Sequence, residues 1–261
     1  MDAERFAVAM PRGHGKTSLC LVATIWAILE GYHGFVYLIG ASEKRAERLL
    51  ESLKAHLSGN DRLLEDYPEA VYPIRRLENE SRRCAGQKFY GIPTNIGWGV
   101  EEVVLPTIPG SPSSGAVIRV SGITGHIRGA IYVRPNGETV RPTLVICDDP
   151  QGDKTARSVL QTRERLGIIN RALGGLAGPG KRVGIIIPCT VIYPGDLADQ
   201  LLDTSKHPEW HGERTKLILA FPKNEALWAE YGRILDEDLR NGGDGSRATE
   251  FYRKHRREMD K

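Results

Sequence analysis

The segment FAVAMPRGHGKTSLCLVATIWAIL, at positions 6–29, constrains the fold of this chain more than any other. An apolar run stops at Pro11, a basic loop with two glycines follows, and apolar residues resume with helical spacing after the GKT at 15–17. We therefore expect a strand, a tight loop and a long apolar helix in that order. Backbone N–H groups in a loop at the N-terminus of a helix are suited to a phosphate ligand.

This loop matches the second half of the P-loop pattern G-x-x-x-x-G-K-[ST], whereas the first glycine position holds Met10. Nucleotide phosphates need inward-pointing N–H groups, a helix N-terminus and a lysine, and the loop keeps all three. We expect Lys16 to bind the β- and γ-phosphates and Thr17 to bind Mg²⁺. The predicted ATP-binding residues are Pro11, Arg12, Gly13, His14, Gly15, Lys16, Thr17 and Ser18. A glycine turn with an incidental lysine is the alternative interpretation.

An apolar strand that ends in two acids, LVICDD at 144–149, is the second element of the predicted site. P-loop ATPases need such a strand beside the loop. Asp148 would then hold Mg²⁺, usually through water, and Asp149 would polarise the attacking water as a catalytic residue. Alternatively, the two acids cap the following turn, since Asp-Asp-Pro is good turn chemistry.

Two single residues, Arg12 and Thr190, are further candidate catalytic groups. The Arg12 guanidinium could reach a γ-phosphate, pair with a nearby acid or remain solvated. Thr190 ends the apolar strand RVGIIIPCT at 182–190. Its hydroxyl would suit a sensor that hydrogen-bonds the γ-phosphate or its water, although a threonine can also simply end a core strand.

Apolar strand-like segments alternate with helical patterns, which favours an α/β fold with an open, mostly parallel sheet and helices on both faces. The helix predicted after Ser42 has a charged face that we expect to be solvated. A strand is predicted over 214–221, whereas residues 60–115 give no clear pattern. The 261 residues carry a net charge of +3, and no apolar run reaches 18 residues without a break. We therefore expect a soluble protein without a membrane partner.

Taken in order, these elements resemble the ATPase domain of the large terminase subunit of tailed bacteriophages and prophages. PRGHGKTS at 11–18 resembles its variant Walker A, LVICDDPQ at 144–151 its Walker B, and IIIPCT at 185–190 its coupling motif. GITGHIRG at 122–129 resembles a glycine-rich stretch that precedes Walker B and carries an arginine, here Arg128. The similarity covers nearly the whole chain.

The resemblance implies a RecA-type (ASCE) P-loop NTPase fold and the ATPase of a viral genome-packaging motor, which uses ATP and Mg²⁺ to move double-stranded DNA into a procapsid. It also implies a homo-oligomeric ring of five subunits in the host bacterial cytoplasm, docked transiently on the portal protein with the small terminase subunit. Arg128 would be a catalytic residue that reaches the neighbouring subunit's nucleotide, or would pair with a surface carboxylate. Asp149 departs from the family, which usually has Glu there.

The predicted domains are a P-loop ATPase domain over 1–240, and over 241–261 a glycine hinge that begins a connection to a C-terminal nuclease domain. No nuclease activity is expected of this chain, because no convergent set of acids for two metals is visible in it. Two other functions stay open. One is another RecA-type DNA translocase or helicase, and the other is a nucleotide-dependent assembly module that does not hydrolyse ATP.

Overall fold

The computed structural model describes residues 4–125, 127–173, 175–178, 180–218 and 220–260, and no helix in these ranges is long and apolar enough to span a membrane. The residues form two compact units, one ending at Thr215 and one beginning at Lys216. The helices are α1 (Lys16–Leu29), α2 (Glu43–Gly59), α3 (Asp61–Asp66), α4 (Pro68–Arg75), α5 (Asp153–Ala156), α6 (Val159–Ile168), α7 (Leu197–Leu201), α8 (Glu225–Arg240) and α9 (Ser246–Met259). The strands are β1 (Arg5–Ala9), β2 (Phe35–Gly40), β3 (Lys88–Phe89), β4 (Ile92–Pro93), β5 (Gly97–Trp98), β6 (Glu102–Val104), β7 (Val117–Gly122), β8 (Tyr132–Val133), β9 (Thr139–Val140), β10 (Leu144–Asp148), β11 (Gly184–Cys189) and β12 (His211–Arg214).

The first unit is built on an eight-stranded sheet with the order β12-β1-β11-β10-β2-β7-β6-β5. The strands from β12 to β7 pair in parallel, and β6 and β5 add an antiparallel edge. Strand β11 thus lies between β1, which precedes the glycine loop, and β10, which ends in the acids. This is the strand order of RecA-type (ASCE) P-loop NTPases, and it confirms the predicted fold class.

The central strands are buried on both faces, and alternate residues serve opposite layers. Leu144 and Ile146 of β10 pack in a core with residues of α1, α2 and α4. Val145 and Cys147 of the same strand pack in a second core that includes residues of α7. Because the strands run parallel, their carboxyl ends meet at one edge of the sheet, where the glycine loop and both acids therefore lie.

One strand differs from its prediction. The predicted strand over 214–221 is wrong, because β12 ends at Arg214 and neither 215–218 nor 220–221 is extended in the sheet. All four residues of β12 are exposed at the edge of the sheet. Its sequence therefore lacks the alternation of apolar and polar residues that predicts a half-buried strand. The region 60–115, which gave no pattern, contains the short α-helices α3 and α4, a 3₁₀ helix at Ser81–Cys84 and strands β3 to β6.

The second unit contains the helices α8 and α9. The buried carboxylate of Asp238 accepts a hydrogen bond from the backbone N–H of Gly245 at 3.0 Å, and Trp228 Nε1 donates to the carbonyl oxygen of Met259 at 3.0 Å. The bond from Gly245 fixes the turn between the two helices, and the bond from Trp228 joins the start of α8 to the end of α9. The predicted boundary between residues 240 and 241 falls at this turn, and the division into 1–240 and 241–261 stays a prediction.

Candidate functional site

The glycine loop joins β1 to α1 in a conformation that only its glycines adopt easily. Gly13 and Gly15 have φ values of 80° and 74°, in the left-handed region that disfavours other residues. Lys16 opens α1 and is buried, and its Nζ donates to the carbonyl oxygens of Met10 at 3.2 Å and Pro11 at 3.0 Å. The lysine ammonium is thus held inside the curve of the loop.

Across the sheet edge, the hydroxyl of Thr17 meets the carboxylate of Asp148. Thr17 Oγ1 donates to Asp148 Oδ2 at 2.9 Å and lies 3.2 Å from Oδ1. Asp148 is buried, and the thiol of Cys20 lies 3.6 Å from its Oδ1. Hydroxyl and carboxylate oxygens are the ligands that Mg²⁺ prefers.

Thr17 and Asp148 therefore fit a Mg²⁺ ion of the kind that nucleotide enzymes use. The described residues include no group of three or more His, Cys, Asp and Glu side chains that could hold a metal. Mg²⁺ in such enzymes is commonly held by one or two protein groups, with substrate phosphates and water completing its shell. Thr17 and Asp148 are two such protein groups.

Asp149 follows Asp148 in a strained backbone conformation, with φ at 44°, and its N–H donates to the carbonyl of Pro188 at 3.0 Å. Strain of this kind in a non-glycine residue is concentrated at functional sites. Burial raises the pKa of Asp149, and the neighbouring Asp148 raises it further, whereas Lys16 and Arg45 act in the opposite direction. A carboxyl group with a raised pKa is a better proton acceptor.

Thr190 lies just beyond β11, the strand between β1, which leads into the glycine loop, and β10, which ends in Asp148. Its Oγ1 is buried and has no hydrogen-bond partner among the described residues. Buried hydroxyl groups are nearly always paired, so an orphaned one calls for an explanation. A polar ligand or a water molecule beside Asp149 would satisfy it.

Arg12 pairs with Asp153, the first residue of α5, through its Nη2 and the Asp153 Oδ1. The hydrogen bond lowers the pKa of the Asp153 carboxyl and raises the pKa of the Arg12 guanidinium. Of the three roles that the sequence left open for Arg12, pairing with a nearby acid is therefore the one found in this structure.

Arg128 lies on an exposed turn after β7, beside Gly129, whose φ is 72°. The ion pairs between described residues do not include it. His126 of the same motif lies outside the described residues. Arg128 thus lies on the surface of the protein and is not among the residues that line the cavity described next.

A cavity of about 600 Å³ lies over the carboxyl edge of the sheet. The loop residues from Arg12 to Ser18 other than His14 line it, together with Asp148 and Asp149. Its size falls within the range of small-molecule sites. Pro11, whose carbonyl holds Lys16, does not line it, and neither do His14 and Thr190.

The cavity also contains residues that the sequence did not single out. Arg45, Arg48 and Ser52 of α2 line it, and Asp153 closes one side. These side chains are exposed, as we expected of the charged face of this helix, and they also border the cavity. Their spacing of three and four residues places these side chains on one helix face, which is a signal in the sequence, but it does not say what that face meets.

The strand order and the position of the cavity at the carboxyl edge define a protein with the RecA-type P-loop fold. Among solved structures, the ATPase domain of the large terminase of Thermus phage P74-26 is similar to this chain. A mutant of that domain is 13% identical with a TM-score of 0.38, over 91% of this chain and 83% of that one. Another structure of the domain is 14% identical with a TM-score of 0.36, over 99% and 90% of the two chains. No protein-family profile and no curated protein matches the chain.

Proposed function

We propose that this chain is a Mg²⁺-dependent ATP hydrolase. The observation that carries the proposal is the hydrogen bond between Thr17 and Asp148, at the base of a cavity that Lys16 and Asp149 also line. A loop lysine, a hydroxyl group and an acid at the end of a neighbouring strand are the set that P-loop enzymes use on nucleotide phosphates.

The side chains of the site have separate tasks in this proposal. Lys16, whose ammonium donates to the loop carbonyls of Met10 and Pro11, would turn to the β- and γ-phosphates. Thr17 and Asp148 would hold Mg²⁺, which neutralises phosphate charge when bound. Asp149 would accept a proton from the water that attacks the γ-phosphorus, while the bond from that phosphorus to the ADP oxygen breaks. Thr190, whose hydroxyl has no hydrogen-bond partner among the described residues, would donate to this water or to a γ-phosphate oxygen.

We further propose that hydrolysis drives double-stranded DNA into a viral procapsid. The order of the motifs along the chain supports this, because the loop, the glycine-rich stretch with Arg128, the acidic strand and the Thr190 strand follow one another as in large terminase subunits. The partners would be double-stranded DNA, the portal protein, the small terminase subunit and further copies of the chain in a ring, in the cytoplasm of the host bacterium.

Phosphate release from ATP tests the hydrolase proposal. We expect Mg²⁺-dependent turnover by the wild-type chain and a loss of about 10²–10³-fold in Lys16→Ala, since the loop loses its cation. Lys44→Ala, which changes an exposed lysine outside the cavity, is the matched control and should keep wild-type turnover. Equal turnover by Lys16→Ala would remove the assignment of the loop. Nucleotide binding without any phosphate release would instead support a non-hydrolysing assembly module.

Displacement of a third strand from a DNA triplex tests the coupling to DNA. A translocase that moves along double-stranded DNA strips the third strand in an ATP-dependent reaction. We expect displacement by the chain assembled with its portal, and none with Asp149→Asn. ATP hydrolysis without displacement by that assembly would contradict the motor function while leaving the hydrolase in place.

A further inference from the structure

Helix α2 presents two arginines to the cavity. Arg45 and Arg48, one helical turn apart, line the cavity together with Ser52. Neither arginine forms an ion pair with a carboxylate in the part of the chain that the structure describes. The other two cations in the cavity are engaged, Arg12 by Asp153 and Lys16 by loop carbonyls.

Close backbone packing fixes the start of α2 against the sheet. A Cβ atom at Gly40 would lie 2.7 Å from the backbone N of Ala46, and one at Gly122 would lie 2.5 Å from the backbone N of Glu43. Both distances are shorter than real contacts allow, so the helix can approach the ends of β2 and β7 only because these residues are glycines. The Glu43 carboxylate also accepts a hydrogen bond from Gly122 N–H at 2.8 Å. Arg45 therefore stands on a rigid support.

This support places Arg45 on the same side of the cavity as the second acid. Strand β2, which leads into α2, pairs directly with β10, which leads into Asp149. The charge of Arg45 is close enough to Asp149 to lower the pKa of that carboxyl, against the larger effect of burial. The charged groups around this part of the cavity are Lys16 and Arg12 on the loop, Asp148, Asp149 and Asp153 after β10, and Arg45 and Arg48 on α2.

We propose that Arg45, with Arg48 one turn beyond it, binds the terminal phosphate of the nucleotide and so distinguishes a nucleoside triphosphate from a diphosphate. The inference rests on the proposed function. If Asp149 activates the attacking water, the γ-phosphate lies on the Asp149 side of the cavity. Two cations act on Asp149 there: Lys16, whose ammonium is held by loop carbonyls, and Arg45, which forms no ion pair among the described residues. A guanidinium binds two phosphate oxygens at once, which suits a group that must recognise one terminal phosphate.

The test compares affinities for a non-hydrolysable ATP analogue and for ADP, measured separately by calorimetry with Mg²⁺. In Arg45→Ala we expect the affinity for the analogue to fall by about 10- to 100-fold, because one or two charge-assisted hydrogen bonds are lost. The affinity for ADP should change by less than about twofold. Arg45→Lys should recover part of the loss, because it keeps the charge but not the paired geometry. Arg48→Ala should show a smaller loss in the same direction.

Lys44→Ala is the matched control, since Lys44 is the exposed cation next to Arg45 and does not line the cavity. It should leave both affinities unchanged. Equal weakening of ADP and analogue in Arg45→Ala would overturn the proposal, and so would unchanged affinities for both. A loss of binding to double-stranded DNA at an unchanged ratio of the two nucleotide affinities would assign Arg45 to a nucleic-acid surface and also overturn it. Failure of the wild-type chain to bind either nucleotide would refute the proposed function itself.

Discussion

Thr17 and Asp148 are 131 positions apart in the sequence, and 2.9 Å separate the Thr17 hydroxyl oxygen from Asp148 Oδ2. Thr17 lies in the first turn of α1, and Asp148 ends β10, with β11 between β10 and the strand that leads into the loop. The parallel sheet brings both to its carboxyl edge. Asp149, the next residue, is turned by its positive φ into the same cavity, so two adjacent acids have different surroundings.

These surroundings predict different defects for the two acids. Asp148→Ala should lose Mg²⁺-dependent nucleotide binding, because it removes a metal-binding carboxylate next to Thr17. Asp149→Asn should keep nucleotide binding and lose about 10²–10⁴-fold in turnover, because the amide cannot accept a proton. Calorimetry and phosphate release measure the two effects. Equal loss of binding in both variants would mean that the two acids hold the metal together.

The raised pKa of Asp149 predicts how stability depends on pH. A carboxyl group whose pKa is higher in the folded chain than in the unfolded one stabilises the fold below the unfolded-state pKa, and this contribution disappears as the pH rises through the folded-state pKa. Near neutral pH the ionised carboxylate of Asp149 therefore costs stability. We expect Asp149→Asn to unfold at a higher temperature than wild type near pH 7, by about 2–4 °C for each 1 kcal/mol gained.

This difference should shrink towards zero below about pH 4, where the carboxyl is protonated in both states. Asp153→Asn is the control, because the hydrogen bond from Arg12 lowers rather than raises the pKa of Asp153. It should give no increase in the unfolding temperature near neutral pH. A lower unfolding temperature for Asp149→Asn throughout the pH range would contradict the argument from burial.

Arg12 should matter for turnover and not for stability. Its pair with Asp153 is largely exposed, and exposed pairs contribute little to folding because water screens them. We expect Arg12→Ala to unfold at the wild-type temperature and to hydrolyse ATP more slowly. Asp153→Ala, which removes the partner and keeps the guanidinium, should retain turnover. An equal fall in both variants would show that the pair, and not Arg12 alone, supports the reaction.

The substitution Gly40→Ala should lower the free energy of unfolding although it introduces no polar group. A methyl group at this position meets the backbone of Ala46, so α2 must shift, at a cost of about 1–3 kcal/mol. Gly40→Ala should lower the midpoint of denaturant unfolding accordingly. Gly59→Ala is the matched control at the other end of α2, because a Cβ there meets nothing within 4 Å and its φ is not positive. That variant should be neutral or slightly more stable.

Arg128 predicts complementation between subunits. If the exposed guanidinium acts on a neighbouring subunit's nucleotide, Arg128→Ala lacks the arginine but keeps its own catalytic acids, whereas Asp149→Asn has the opposite defect. Each should be nearly inactive alone, since arginines supplied in this way are worth roughly 10³–10⁵ in rate, and mixing them should restore part of the phosphate release. Mixed rings that form but recover no activity would refute this role.

Local sequence patterns were enough to predict the elements that carry the chemistry. Hydrophobic periodicity predicted the strand and helix around the glycine loop and the strand before Asp148 and Asp149, because a parallel strand buried on both faces needs a continuous apolar run. It failed for β12, which is exposed along its whole length, and for the short elements between 60 and 115. Strand β12 buries no residue, and the elements between 60 and 115 are too short for a period to be recognised.

The side chains that share the cavity can be identified only from the folded structure. The helical spacing of Arg45, Arg48 and Ser52 is visible in the sequence, but periodicity reports which residues share a face and not what that face meets. No local pattern predicts that Arg12 pairs with Asp153 or that the Thr190 hydroxyl is buried. The lining of the cavity depends on the strand order and on the close packing of α2 against Gly40 and Gly122. Both arise from contacts between residues far apart in the chain.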